Sequence, residues 1–120
     1  MSDTLARTPE PPYLAVIFTS VLSGDADGYA EMSEMMDKLA SLQDGYLGHD
    51  SARNASGLGI TVSYWRDLDA ISAWRDQAQH QVARQLGRES WMDDYRLRVA
   101  TVERASNRAA EQLRLQREVD

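Results

Sequence analysis

The sequence contains no cysteine, which excludes disulfides, thiolate metal centres and cysteine nucleophiles. Lysine is nearly absent too: of 13 basic residues only Lys38 is lysine, and 19 acidic residues leave a net charge of −6. That balance works against duplex phosphate and anionic membrane as partners. Proline is confined to Pro9, Pro11 and Pro12. No apolar run approaches the roughly 18 residues a membrane helix needs, and the stretch before Tyr13 lacks the apolar centre of a secretion signal. These absences lead us to expect a cytoplasmic protein with neither a membrane nor a nucleic-acid partner.

What is present reads as one domain, since 120 residues suffice for one core and not for two. Residues 1–12 hold all the prolines and predict a loose, extended leader. From Tyr13 to Leu22 (YLAVIFTSVL) both alternating sets are apolar, so this strand is expected to be covered on both faces. Asp25 and Asp27 are candidate caps for a helix in which Tyr29, Met32, Met36 and Leu39 recur through about Gln43. Gly45 stands where a left-handed residue commonly ends a helix. Tyr46 to Asn54 resumes as an irregular polar strand, and Asn54, Ser56 and Gly57 predict a hairpin into Ile60, Val62 and Tyr64. Gly48 and Gly59 mark bulges or close backbone approach.

Asp67 is a predicted N-cap for a helix carrying Leu68, Ile71 and Trp74. Its apolar set then shifts to Val82 and Leu86 across the polar run 75–81, which predicts a kink before Gly87 closes the helix. Tyr95, Leu97 and Val99 alternate in a fourth strand to about Glu103. Residues 105–120 are good helix formers with a thin stripe of Leu113, Leu115 and Val119, hence a frayed helix or a partner-dependent arm. The order β-α-β-β-α-β is that of the ferredoxin-like α+β class, a four-stranded antiparallel sheet with both helices on one face. The domain is expected over 13–104, and its bare sheet face predicts a homodimer in which two sheets pack together.

Several stretches together resemble the antibiotic biosynthesis monooxygenase (ABM) family of dimeric α/β barrels, in particular its uncharacterised bacterial branch. They are GYLG at Gly45 to Gly48, SAR at Ser51 to Arg53, ITVSYW at Ile60 to Trp65, the spacing of Trp74 and His80, and GRESWMDDYRLRVATVER from Gly87 to Arg104. The resemblance runs from about Tyr13 to Arg104. It implies a dimer and, as the activity, cofactor-independent monooxygenation of a small aromatic or polyketide-like compound. Haem degradation, another activity of the family, is disfavoured: Trp65 fits that branch's tryptophan, but the first strand offers only Thr19 and Ser20 for its asparagine. Its histidine position falls on Arg84.

A cofactor-free oxygenase needs a substrate that becomes an electron donor once deprotonated in a dry pocket. His80 is the candidate base, because imidazole titrates near neutrality; the plain alternative is an exposed histidine in a polar run. Asp50 or His49 is a second candidate, adjacent residues facing opposite ways along the strand. Trp65, Trp74, Trp91, Tyr64 and Tyr95 are candidate pocket walls, with Trp74 read as core. Arg53, Arg66, Arg84 and Arg88 are candidates for an anionic substrate group, against the plain reading of surface pairing. No metal or other cofactor is expected, since two histidines on separate elements give no ligand spacing. Two other readings stay open: a noncatalytic small-molecule binding or sensing dimer, and a purely structural module.

Overall fold

The computed structural model describes residues 5–24, 28–86 and 91–119. The apolar decamer Tyr13–Leu22 forms β1, an inner strand paired antiparallel with β3 (Leu58–Trp65) on one side and β4 (Met92–Val102) on the other. β2 (Tyr46–Arg53) pairs with β3 and completes a sheet of order β2-β3-β1-β4. Helices α1 (Tyr29–Ser41) and α2 (Leu68–Leu86) lie on one face, and α3 (Arg108–Val119) follows β4. This is the ferredoxin-like βαββαβ arrangement with a helix added at its end.

Both helices meet the sheet around Trp65. Its side chain has no exposed surface and packs with Ala40 of α1 and with Ala70 and Ile71 of α2. Leu14, Val16, Tyr46 and Trp74 close the ring around it. Small residues at 40 and 70 let two helices approach one indole. Asp67 seats α2 there as its sequence predicts, with Oδ1 accepting from the Ala70 amide at 2.9 Å. Gly45 has φ 89°, and a Cβ on it would stand 2.6 Å from the Ala70 Cβ, so only glycine fits that turn.

Several expectations need correction. α2 runs unbroken from Leu68 to Leu86: the polar run 75–81 is built of residues that continue a helix without difficulty. α1 stops at Ser41, and the left-handed Gly45 belongs to the turn that follows rather than to the helix end itself. Gly28, at φ 86° and without a side-chain cap, begins α1; the candidate caps Asp25 and Asp27 lie outside the described residues, as does Gly87.

The leader is not loose over its described part. The Ala6 amide donates to Asp50 Oδ1 at 2.8 Å, and Thr8 and Tyr13 share a hydrogen bond of 2.8 Å between their hydroxyls. This strap crosses the sheet face opposite the helices, where Tyr13 and Ala15 are buried. Beyond it the same face leaves Leu58 and Ile60 exposed.

At the other end of the chain α3 forms, capped by Asn107 Oδ1 on the Ala110 amide at 2.8 Å. Its described side chains are exposed apart from a half-buried Glu111. The radius of gyration is 16.9 Å, against about 14 Å for a compact chain of this length.

Candidate functional site

Strand register sorts the helix-side face into rows. Tyr46, Trp65, Leu14 and Thr101 form the first, beneath the packed helices. His49, Ser63, Val16 and Val99 form the second; Ser51, Thr61, Phe18 and Leu97 the third; Arg53, Gly59, Ser20 and Tyr95 the fourth. Adjacent strands lie about 4.8 Å apart, so each row is a strip across the sheet. In the second and third rows the β2 and β3 half is polar and the β1 and β4 half apolar.

Cover is lost toward β4, which is exposed from residue 93 to 101, whereas Ser20 on β1 in the fourth row is buried. Val99 is 49% exposed, Leu97 44% and Tyr95 57%, and Phe18 lies against Tyr95 with ring centroids 5.6 Å apart. The second and third rows therefore leave an open strip of sheet, apolar on β1 and β4 and bordered by hydroxyls on β3 and β2. Ser51 and Thr61 share a hydrogen bond of 2.9 Å, and Ser63 Oγ accepts from Trp65 Nε1 at 2.8 Å.

His49 is the titratable side chain on this polar border, and it is held from two sides. Tyr46 Oη lies 2.5 Å from its Nδ1, and Asp37 Oδ2 of α1 lies 3.9 Å from its Nε2. Partial burial pushes the Asp37 carboxyl up, with the His49 charge opposing. Burial, reinforced by Asp37 and Asp50, pushes the Tyr46 phenol up, so the tyrosine stays a hydroxyl at neutral pH. A bulge between Tyr46 and Gly48 brings Tyr46 and His49 to one face, although their spacing of three would put them on opposite faces of a regular strand.

The fourth row ends in a clamp. The Arg53 guanidinium donates to the Gly57 carbonyl, to Ser20 Oγ at 2.7 Å, and at 3.4 Å to the Ser20 carbonyl and to Tyr29 Oη. It also sits 5.3 Å from the Tyr29 ring centroid. A Cβ on Gly59 would stand 2.5 Å from Arg53 Cζ, so glycine there makes room for the guanidinium. Tyr29 meets Trp91 edge to face at 6.0 Å. A groove of about 390 Å³ lies beside them, lined by Gly28, Glu31, Met32, Met35 and Trp91.

The sequence candidates thus divide. His49, Arg53, Trp65, Tyr95 and Trp91 fall on the helix side. Asp50 and Tyr64 are on the far face, where Tyr64 Oη donates to Asp50 Oδ2 at 2.9 Å under the leader. His80 is exposed on α2 and forms no hydrogen bond or ion pair among the described residues. His80 and Asp50 are therefore not brought together. Trp65 is core rather than pocket mouth. Arg66 is spent on Asp44 and Asp67, at 3.0 Å and 3.1 Å; the side chain of Arg84 and all of Arg88 lie outside the described residues. Tyr46 and Asp37 were missed. Among the described residues no three metal-binding side chains gather, and no helix is long and apolar enough to cross a membrane.

Comparison with known proteins agrees with this architecture. The chain is 53% identical over 104 residues to YqjZ of Bacillus subtilis, an uncharacterised protein, covering 87% of this chain and 91% of that one. It is 31% identical over 91 residues to a jasmonate monooxygenase of Pyricularia oryzae, covering 73% of this chain but only 42% of the fungal protein's length. Among solved structures, SnoaB of Streptomyces nogalater, a cofactor-independent oxygenase, superposes with a TM-score of 0.64 at 13% identity over 78% of this chain and 95% of its own. PA3566 of Pseudomonas aeruginosa does so at 0.62 and 18%, over 82% of this chain and 99% of its own. At such identities these two speak for the fold. The model of the antibiotic biosynthesis monooxygenase family matches residues 12–86, and the chain belongs to that family.

Proposed function

We propose that the protein is a homodimeric, cofactor-independent monooxygenase acting on a small aromatic or polyketide-like compound with one polar end. The open strip of sheet supports this reading: its second and third rows run from hydroxyls and an imidazole on β2 and β3 to Val16, Phe18, Leu97 and Val99 on β1 and β4. A hydroxyarene laid across it places its ring on the apolar half and its oxygen toward His49. We assign proton acceptance to His49, with Asp37 behind its Nε2 stabilising the imidazolium, in place of His80 or Asp50. The resulting phenolate donates electrons to dioxygen. One oxygen atom becomes a ring carbonyl, and the other leaves as water with the displaced hydrogen and the phenolic proton. Family membership and the jasmonate monooxygenase relative support an oxygenase; they leave the substrate open.

The uncovered apolar residues of the open face and β4, exposed on both faces over residues 93–101, support the dimer. A soluble, cytoplasmic location fits this reading. The test is turnover of a panel of naphthols and hydroquinones under labelled dioxygen, with His49→Ala and His80→Ala alongside the parent. We expect one labelled oxygen per product, activity lost in His49→Ala and kept in His80→Ala. Binding without turnover across the panel would favour a small-molecule binding or sensing dimer, and neither binding nor turnover would favour a structural module.

A further inference from the structure

Tyr46, Trp65 and Trp74 form an aromatic file leading from the β2 edge through the core to α2. The ring centroids of Tyr46 and Trp65 are 5.5 Å apart, nearly perpendicular, and those of Trp65 and Trp74 are 6.2 Å apart and stacked within 20°. Trp65 has no exposed surface, and Trp74 is half-buried on the outer side. The first two rings of the file have polar partners. The Tyr46 hydroxyl meets His49 Nδ1 at 2.5 Å with Asp37 3.9 Å from Nε2, and Trp65 Nε1 donates to Ser63 Oγ at 2.8 Å.

Packing alone accounts for three aromatic rings in contact. It does not account for a phenol at one end that is hydrogen-bonded to a base backed by a carboxylate. A phenol gives up an electron readily only when its proton leaves at the same time, and that requires an acceptor already in hydrogen-bond contact. Neutral His49 with its proton on Nε2, toward Asp37, presents the Nδ1 lone pair to the Tyr46 hydroxyl. The Asp37 carboxylate then favours the imidazolium that results. Rings at these separations are close enough to exchange an electron without large motion.

We propose that Tyr46, His49, Trp65 and Trp74 are a redox-active site that passes an oxidising equivalent between the protein surface and Tyr46. A one-electron oxidant at the protein surface, such as a dioxygen-derived radical, takes one electron from Trp74. The vacancy moves to Trp65 and then to Tyr46. There the phenolic O–H bond breaks, an N–H bond forms at His49 Nδ1, and the electron leaves by way of the two indoles. The products are a neutral tyrosyl radical, an imidazolium beside Asp37, and the oxidant reduced by one electron; re-reduction returns the proton. His49 is also the proton acceptor assigned to the substrate above, so the two roles alternate. The redox proposal requires no substrate and stands or falls apart from the monooxygenase reading.

The test is laser flash photolysis of the full chain, with photogenerated tris(bipyridine)ruthenium(III) as the oxidant. In the parent we expect the tryptophanyl absorption to decay into tyrosyl absorption, more slowly in deuterium oxide. Tyr46→Phe, which keeps the ring in the core, should lose that tyrosyl product and leave the tryptophanyl radical longer lived. His49→Gln should slow the transfer, and Trp74→Phe should lower the tyrosyl yield. A tyrosyl radical forming at the parent rate and yield in Tyr46→Phe would overturn the proposal, because the vacancy would then be settling on Tyr13, Tyr29, Tyr64 or Tyr95. Unchanged kinetics in His49→Gln would overturn it equally, and that variant, at a partly exposed position, decides the matter if Tyr46→Phe fails to fold.

Discussion

At the scale of single residues, the tightest constraints surround Trp65. Gly45 meets Ala70 with room for no Cβ and holds a positive φ, so Gly45→Ala combines left-handed strain with overpacking. We expect a loss of about 2–4 kcal/mol in urea unfolding; a loss below about 1 kcal/mol would mean that α2 shifts to accommodate the methyl. Trp65→Ala removes the fully buried indole and should cost about 3–5 kcal/mol.

Tyr64 gives a pH signature. Burial first, and then its hydrogen bond to Asp50, push its phenol from 10 up to about 12. The folded protein therefore holds this proton more tightly than the unfolded chain. The stabilisation is complete below pH 10 and disappears as pH rises through about 12. Melting temperature measured across that window should fall more steeply in the parent than in Tyr64→Phe, and parallel curves would remove Tyr64 from the alkaline transition.

At the scale of elements, α2 rests on its cap. Asp67 accepts from the Ala70 amide and pairs with Arg66, and both, the amide bond first, hold its carboxyl below the usual range. The stabilisation is present above the unfolded value and is lost as pH falls through the folded one. Asp67→Ala should lower the melting temperature by a few degrees at neutral pH, with the difference from the parent shrinking in acid. A difference constant down to strong acid would mean that the carboxylate charge is irrelevant there.

The leader depends on Asp50 in a comparable way. Asp50→Ala should expose the Ala6 amide, read as faster hydrogen exchange at that residue than in the parent, and equal exchange would show that the strap is held by other contacts. The sequence suggested a loose leader because prolines exclude helix and inner strand. It could not show that an extended segment would find a carboxylate 44 residues away.

At the scale of the whole molecule, the exposed stripes on β4 and α3 and the bare part of the open face are the features a second copy would cover. Equilibrium sedimentation at micromolar concentration should give twice the mass of one chain. Ile17→Asp, on the open face of β1, should dissociate or unfold the dimer; the mass of one chain for the parent, or an intact and equally stable dimer for Ile17→Asp, would reject sheet-to-sheet assembly.

The sequence by itself determined the element order, the doubly apolar β1, the hairpin at Asn54 and the cap at Asp67, because each is written in local periodicity or turn chemistry. Tertiary structure alone decided which side chains surround His49. Asp37 meets His49 only through the way α1 settles on β2, and Tyr46 joins them only because the bulge before Gly48 reverses the alternation. Asp50 was legible as a functional-looking carboxylate, yet the pairing of β2 with β3 turns it to the far face with Tyr64. Local pattern fixes which residues share a strand face only while the period of two is unbroken; one inserted residue, or one helix rotation, resets which side chains meet.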